Sequence, residues 1–236
     1  HGLFLIEDAA HALGATYHGR QIGAIADMTM FSFHPVKSIT TGEGGAIATN
    51  SRKLYEELLC FRAHGIVKDR GKFMRKSPGG WYSEMQMLGH NYRLTDIQAA
   101  LGLSQLKKLH AFVSRRRALS HRYAKAFAQN KNLIMPSERA GVRGSWHLYP
   151  IRLVGTLKEK RAKIFKELRK RGIGAQVHYL PVYLHPYYRK LGYKKGLCPN
   201  AEAFYEAELS IPLFPGLSRK NQDFVAKTIN KLTLLQ

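Results

Sequence analysis

The chain has 236 residues, 44% of them hydrophobic and 23% charged, a globular balance with room for one large domain or two small ones. No apolar run approaches the ~20 residues of a membrane span, and two cysteines in unrelated contexts, Cys60 and Cys198, have neither a disulfide framework nor metal-ligand spacing. Lys and Arg outnumber Asp and Glu by 38 to 16, a net charge of +22, so nucleic acid has to be weighed as a partner. The basic residues crowd 107–125, 158–171 and 189–195, and the first two stretches read as solvated faces of amphipathic helices. No zinc finger, RNP sequence or KH loop accompanies them, which ranks attraction of a small anionic ligand above nucleic acid.

In chain order, Leu3-Phe4-Leu5-Ile6 is a continuous apolar run, the pattern of a strand buried on both faces. It ends in Glu7-Asp8-Ala9-Ala10-His11, which puts carboxylates at the C-terminal end of the strand, where open α/β sheets bind ligands. Helix capping is the commoner fate of an aspartate placed like Asp8. A short helical turn is expected over 9–12, broken by Gly14, and a tight turn over 17–23. Residues 28–33 alternate and read as a strand, which Pro35 stops because it has no N–H to donate. Lys37 follows in a loop, and Gly42-Glu43-Gly44-Gly45 leads into a second apolar run, 46–49.

A loop lysine is ordinarily solvated and inert. Held between two buried strands it loses hydration, its charged form is disfavoured and its pKa falls, as a Schiff-base lysine requires. Asp8 upstream sharpens the reading. Pyridoxal phosphate (PLP) chemistry needs both a lysine to carry the cofactor and a carboxylate to keep its ring nitrogen protonated.

Further on, Asn50 or Ser51 caps a helix reaching Ala63, with Leu54, Leu58 and Leu59 on one face and Gly65 at its end. Residues 67–83 hold many charges, glycines and Pro78, and read as an exposed loop. Thr95 and Gln98 form a capping box that opens a long helix, bent or continuous, to Phe127, with Ile97, Leu101, Leu106, Leu109 and Val113 as its apolar stripe. Past Asn130 the elements shorten. A strand is expected over 146–154, then a capping box at Thr156 and Glu159 opening a helix that Gly172 ends. A strand over 175–179, a helix over 199–208, an extended piece over 209–213 and a last helix over 219–232 complete a small α+β domain. The glycine turn is no Walker loop, no GxGxxG follows a strand, and the eleven histidines show no His-Glu-x-x-His spacing.

IEDAAHALGA, FSFHPVK, TTGEGGAIATN, NYRLTDIQAALGLSQLKKL, VHYLPVYLHPYY and LSIPLFPGLS occur in this order over nearly the whole chain. Together they resemble the sugar-nucleotide aminotransferases of PLP fold type I, the DegT/StrS-like family. FHPVK with VHYLPV is most similar to the branch of the family serving pseudaminic-acid synthesis. The resemblance implies an α/β fold: the C-terminal part of a fold-type-I aminotransferase, with a large-domain mixed sheet and a smaller α+β C-terminal domain. Residues 1–131 would be the remainder of the large PLP-binding domain with a bridging helix, and 132–236 the small domain. The chain opens on His1 just ahead of an apolar strand, so it is expected to be part of a longer protein and inactive by itself.

The resemblance also implies roles. Lys37 would hold PLP, be displaced by the amino donor, and then move the proton between donor and cofactor. Asp8 would pair with the pyridinium nitrogen, and His11 would touch the ring substituents, a packed histidine being the alternative. Ser32 would donate to the cofactor phosphate and His34 would line the sugar pocket. Asn91 would reach the phosphate of the other subunit's cofactor in a homodimer with shared active sites, a turn residue being the alternative. His178 and Tyr179 would face the nucleotide-sugar, with aromatic packing the competing reading. Some relatives carry histidine where Tyr183 stands, and His185 is the nearest other imidazole. The implied reaction moves an amino group from L-glutamate to the 4-keto group of a UDP-linked 4-keto-6-deoxy sugar, for cell-surface or flagellar glycan, in the cytoplasm. Lysine where dehydratases of the family carry histidine argues for amino transfer. Another NDP-sugar aminotransferase is the nearer alternative, a basic non-catalytic binding module is the rival from another class, and no membrane or nucleic-acid partner is expected.

Overall fold

A computed structural model describes residues 1–234. It divides into two compact units, His1–Leu109 and the chain from His110 onward.

In the first unit, β1 (Ile6–Asp8) precedes a small hairpin of β2 (Thr16–Tyr17) and β3 (Arg20–Gln21). His18 and Gly19 form the hairpin's two-residue turn, both at positive φ, as such turns require. Next come β4 (Met28–Ser32) and β5 (Gly45–Ala48), in a sheet ordered β1-β4-β5. β4 runs parallel to β1, with Ile6 opposite Met28 and Asp8 opposite Met30. It runs antiparallel to β5, with Ser32 opposite Gly45. Thr29 and Phe31 point into the core from β4, in keeping with its alternation.

Two expectations are corrected here. Only Ile6 of the apolar run lies in β1, and Leu3, Phe4, Leu5 and Ile6 are 84%, 73%, 58% and 66% exposed. β1 is the edge of its sheet, so among the described residues nothing covers the run on its outer side. β5 is likewise mostly open, so the Lys37 loop joins one half-buried strand to one exposed strand.

Helix α1 (Arg52–Phe61) starts where expected: the Ser51 hydroxyl oxygen accepts from the Leu54 N–H at 3.3 Å. Gly65 closes it at φ 69°, where any Cβ would collide with the Met87 carbonyl. β6 (Ile66–Val67) and β7 (Glu84–Met85) pair antiparallel and bracket the predicted loop. That loop is largely exposed, but one buried carboxylate organises it. Glu84 accepts from the Met74 N–H at 2.7 Å, the Arg75 N–H at 2.9 Å, the Tyr82 hydroxyl at 3.0 Å and the Gln86 amide at 3.0 Å. Helix α2 (Asp96–Leu106) carries the predicted capping box of Thr95 and Gln98. Its apolar residues Ile97, Leu101, Leu103 and Leu106 are exposed.

The helix breaks after Leu106 and resumes as α3 (Leu109–Phe127), which buries Val113, Leu119, Tyr123 and Phe127. β8 (Leu133–Ile134), β9 (Val142–Arg143), β10 (Tyr149–Leu153), α4 (Arg161–Lys170), α5 (Pro186–Lys190), α6 (Pro199–Ala207), β11 (Glu208–Ile211) and α7 (Arg219–Leu234) follow. An antiparallel sheet ordered β11-β10-β8 forms the centre of this unit, with Ile151 opposite Leu209. Its core is Tyr123, Phe127, Tyr149, Ile151, Leu168 and Leu209.

Two further expectations fail in this unit. Thr156 and Glu159 form no capping box. Gly155 takes a left-handed φ of 59°, residues 155–158 coil as a 3-10 turn that buries Leu157, and α4 begins only at Arg161. Residues 175–179 form no strand beyond one bridge, in which Gln176 and Ser210 exchange N–H···O bonds of 3.0 and 2.9 Å. The His178 N–H then leaves the ladder and bonds the Glu208 carboxylate at 2.8 Å, so a side chain takes the place of a strand carbonyl. Among the described residues, no helix is long and apolar enough to cross a membrane, and no group of three or more His, Cys, Asp or Glu is placed to hold a metal ion.

Candidate active site

β1 and β4 are parallel, so their C-terminal ends lie at the same edge of the sheet. Asp8 ends β1 and Ser32 ends β4. The β1–β4 ladder is extended past Asp8 by the Ala9 N–H bonding the Met30 carbonyl at 2.9 Å, and the chain then turns sharply. One Asp8 oxygen accepts from the Ala10 N–H at 3.1 Å, the local cap that base rates favour for such an aspartate. His11 lies in this turn with its residue exposed, and Gly14 ends the turn at φ 84°.

Past Ser32 the chain makes a second turn. The Lys37 N–H bonds the His34 carbonyl at 3.0 Å, closing residues 34–37 into one loop. The Thr41 N–H and the Thr40 hydroxyl both bond the Phe33 carbonyl at 3.0 Å, which pins the far end of that loop back on the strand. Ser38, Ile39 and Thr41 are buried, so Lys37 stands just above a packed floor. Burial pushes the Lys37 amine below its ordinary pKa, and the negative charge of Asp8 opposes that shift without reversing it. The carboxylate and the amine that the sequence singled out therefore share one electrostatic neighbourhood.

Ser32 and His34 serve the same loop. The Ser32 oxygen accepts from the His34 N–H at 3.4 Å, which uses a lone pair and not the hydroxyl hydrogen. The Val36 N–H points at His34 Nδ1 at 3.5 Å, and His34 Nε2 lies 3.8 Å from a Glu43 oxygen. His34 thus braces the Lys37 loop against the glycine turn. Gln98 adds a second brace, donating from its side chain to the Glu43 carbonyl at 3.0 Å. Asn91 is exposed and is set by its backbone: it bridges to Ala63, and the flanking Tyr92 N–H bonds the Arg62 carbonyl at 2.9 Å.

His178 and Tyr179 belong to the second unit. Their rings meet edge to face with centroids 4.5 Å apart, and Tyr179 is exposed. His178 Nδ1 lies 2.8 Å from the Ser210 hydroxyl, which donates to Glu208 Oε1 at 2.5 Å. Tyr183 instead holds the loop before α6, its hydroxyl donating to the Glu202 carboxylate at 2.5 Å and accepting from the Cys198 N–H at 3.2 Å. Sequence reasoning missed Glu208, Ser210 and Glu84. The one available signal was a carboxylate and a hydroxyl inside the apolar stretch Glu208-Leu209-Ser210-Ile211, all four residues of which are buried.

The model of the DegT/DnrJ/EryC1/StrS aminotransferase family matches residues 1–230. A UDP-4-amino-4,6-dideoxy-N-acetyl-beta-L-altrosamine transaminase of Campylobacter jejuni (strain 81-176) is 42% identical over 225 residues, covering 95% of this chain and 57% of that protein. The spore coat polysaccharide biosynthesis protein SpsC of Bacillus subtilis is 39% identical over 237 residues, covering 98% and 60%. Among solved structures, Helicobacter pylori PseC, an aminotransferase of pseudoaminic acid biosynthesis, matches with a TM-score of 0.89 at 36% identity, covering 99% of this chain and 60% of its own. The putative sugar aminotransferase Spr1654 of Streptococcus pneumoniae, in its PMP form, matches at 0.90 and 34% identity, covering 99% and 59%. The chain thus spans between half and two thirds of the length of these relatives, and its mixed α/β fold is theirs over that span. With the family model matching all but the last few residues, the chain belongs to the DegT/DnrJ/EryC1/StrS aminotransferase family.

Proposed function

We propose that the protein is a PLP-dependent sugar-nucleotide aminotransferase that moves an amino group from L-glutamate to the 4-keto group of a UDP-linked 4-keto-6-deoxy sugar. The observation that carries this reading is the pairing of Asp8 with Lys37 at one sheet edge, an amine of lowered pKa in the field of a carboxylate. The same pairing supports the fit of the cofactor, whose pyridine nitrogen needs an anion and whose aldehyde needs an amine. When bound, PLP supplies an electron sink for the charge left on the carbon that loses its proton.

The chain's own residues do the rest. Lys37 Nζ would hold the cofactor and, once displaced from it by the amino donor, would take the proton from the donor's α-carbon and deliver it to the cofactor. A lowered pKa suits it to both roles at neutral pH. Asp8 holds the proton on the ring nitrogen, and His11 contacts the ring. The Ser32 hydroxyl donates to the cofactor phosphate, as does Asn91 across a homodimer. His34, His178 and Tyr179 bind the sugar-nucleotide. The net charge of +22 favours approach of a substrate carrying a diphosphate. The location is the cytoplasm, where nucleotide-sugars and reduced cysteines belong.

The deciding experiment incubates the full-length protein with PLP, glutamate and a panel of keto-sugar nucleotides, with products read by mass. Amination of a UDP-linked 4-keto-6-deoxy sugar is expected. Amination of none of the panel would overturn the reading. Steeply salt-dependent binding to an anionic polymer in an inactive protein would favour the basic binding module instead.

A further inference from the structure

We propose that Glu208 and Ser210 are positioning residues that hold His178 in its Nδ1–H tautomer, so that Nε2 carries no proton and acts as an acceptor. Glu208 opens β11 and is fully buried, and two donors converge on its carboxylate. Its Oε2 accepts from the His178 N–H at 2.8 Å and its Oε1 accepts from the Ser210 hydroxyl at 2.5 Å.

A serine hydroxyl has one hydrogen. With Glu208 ionised, Ser210 commits it to the carboxylate, so toward the imidazole its oxygen can only accept. His178 Nδ1 lies 2.8 Å from that oxygen and must then carry the hydrogen. If the imidazole were the other tautomer, two lone pairs would face each other across 2.8 Å. The same carboxylate fixes both the backbone and the ring of His178, which a packing role for the histidine would not need. Burial pushes the Glu208 carboxyl up, while Ser210, the His178 N–H and the positive charge of Arg161 act the other way.

The consequence is one of specificity and rests on the reading that His178 meets the sugar-nucleotide. An unprotonated Nε2 accepts from a hydroxyl or N–H of the ligand. It has nothing to donate to a phosphate or carbonyl oxygen. The tautomer would therefore aim His178 at the sugar hydroxyls or the base, and away from the diphosphate.

The test is long-range 1H–15N NMR on histidine-labelled full-length protein without substrate, with the His178 signal assigned by its loss in His178→Asn. The expected spectrum has a protonated Nδ1 and an unprotonated Nε2. Ser210→Ala should release the tautomer and raise KM for the sugar-nucleotide about tenfold, the worth of one hydrogen bond, with a smaller fall in kcat. Ser210→Thr, which keeps the hydroxyl, should restore both. A protonated Nε2 in the wild type overturns the proposal without recourse to any variant, and so does loss of the tautomer in Ser210→Ala with KM unchanged. Failure of the aminotransferase reading would show separately, as wild-type protein inactive on every keto-sugar nucleotide. The spectrum would still decide where the His178 proton sits.

Discussion

The Asp8 carboxylate and the desolvation of Lys37 pull the Lys37 amine in opposite directions, and desolvation is the larger effect. The charge of Asp8 is felt at Lys37 because β1 and β4 are parallel neighbours whose C-terminal ends share an edge. Removing one influence should expose the other. In Asp8→Asn the charge that favours the ammonium form is gone, so the Lys37 pKa should fall further below its ordinary 10.5. A lysine pKa depressed by folding means that protonating the amine costs stability as pH falls through the folded value. The variant should move that window to lower pH. Reductive methylation of Lys37, followed by peptide mass across pH in the protein without cofactor, should show its midpoint moving down. An unchanged or raised midpoint would show that Asp8 does not act on Lys37.

Lys37→Ala should leave the fold intact and remove the chemistry. Lys37 is half-buried in a loop whose closure depends on backbone bonds and on the Thr40 hydroxyl. Loss of an acid–base group is worth about 10²–10⁴ in rate, and loss of covalent cofactor attachment adds to it. Circular dichroism should match the wild type, turnover should vanish, and borohydride should no longer fix the cofactor to the protein. Turnover near the wild-type level would remove Lys37 from the mechanism.

The glycine turn after Lys37 offers a graded test of how the loop is held. Gly42 has a φ of 80° and open space around its Cα, so Gly42→Ala meets only backbone strain, about 1 kcal/mol. Gly45 pairs with Ser32 across the ladder, and a Cβ there would sit 2.6 Å from the Phe31 carbonyl oxygen. That atom is backbone, so β5 must move off β4. Gly45→Ala should lower Tm and cofactor retention more than Gly42→Ala does, and the reverse order would mean that the ladder near Ser32 does not position the loop.

What was legible in the sequence is what is decided locally. The Ser51 cap, the Thr95 and Gln98 box, the glycine that ends α4 and the strand running into the Lys37 loop are each fixed within a few residues, and each is found. Thr156 and Glu159 show the limit of such patterns. Their spacing is right, but Gly155 takes a left-handed turn and buried Leu157 draws the chain into a 3-10 turn before the helix can start. Glu208 and Glu84 were invisible for another reason. Their donors come from up to 30 and 10 residues away, and no local periodicity encodes such a meeting. The exposure of Leu3-Phe4-Leu5-Ile6 is not written in those four residues, because cover over a strand is a property of its neighbours.

Glu84 should govern the order of residues 68–83. Its donors hold the carboxyl down to about 2, from an ordinary value of 4.5. A carboxyl whose pKa is depressed by folding stabilises fully above about pH 4.5, and that stabilisation is lost as pH falls toward 2. Glu84→Gln replaces one acceptor oxygen with a donor amide, leaving the Met74 or Arg75 N–H facing an N–H. Protection of these two amides from hydrogen exchange, taken relative to the intrinsic rate at each pH, should drop in the variant at neutral pH, and in the wild type on acidification through the same window. Protection unchanged in both would show that the loop is held by other contacts, such as the edge-to-face pair of Phe73 and Tyr82.

The edge at β1 leads to the last expectation, that the 236-residue chain purified by itself will associate with its own kind. Leu5 is tied on one side only: its N–H donates to Asp27 at 2.8 Å and its carbonyl accepts from the Met28 N–H at 3.3 Å, both toward β4. Among the described residues the opposite backbone edge is unpaired, and Leu3, Phe4, Leu5 and Ile6 are all exposed along it, without the charges or proline that usually blunt an open edge. An apolar stretch of this kind is a template for strand pairing with a second chain. α2 adds the exposed residues Ile97, Leu101, Leu103 and Leu106 to the uncovered surface of the same unit. Light scattering should find assemblies larger than a monomer, little cofactor retained and no turnover. Leu3→Lys with Leu5→Lys places two charges on the strand without touching the Leu5 backbone bonds, and should shift the protein toward smaller species. A monodisperse monomer in the unmodified chain, or assemblies indifferent to the two lysines, would show that the β1 edge is not what drives association.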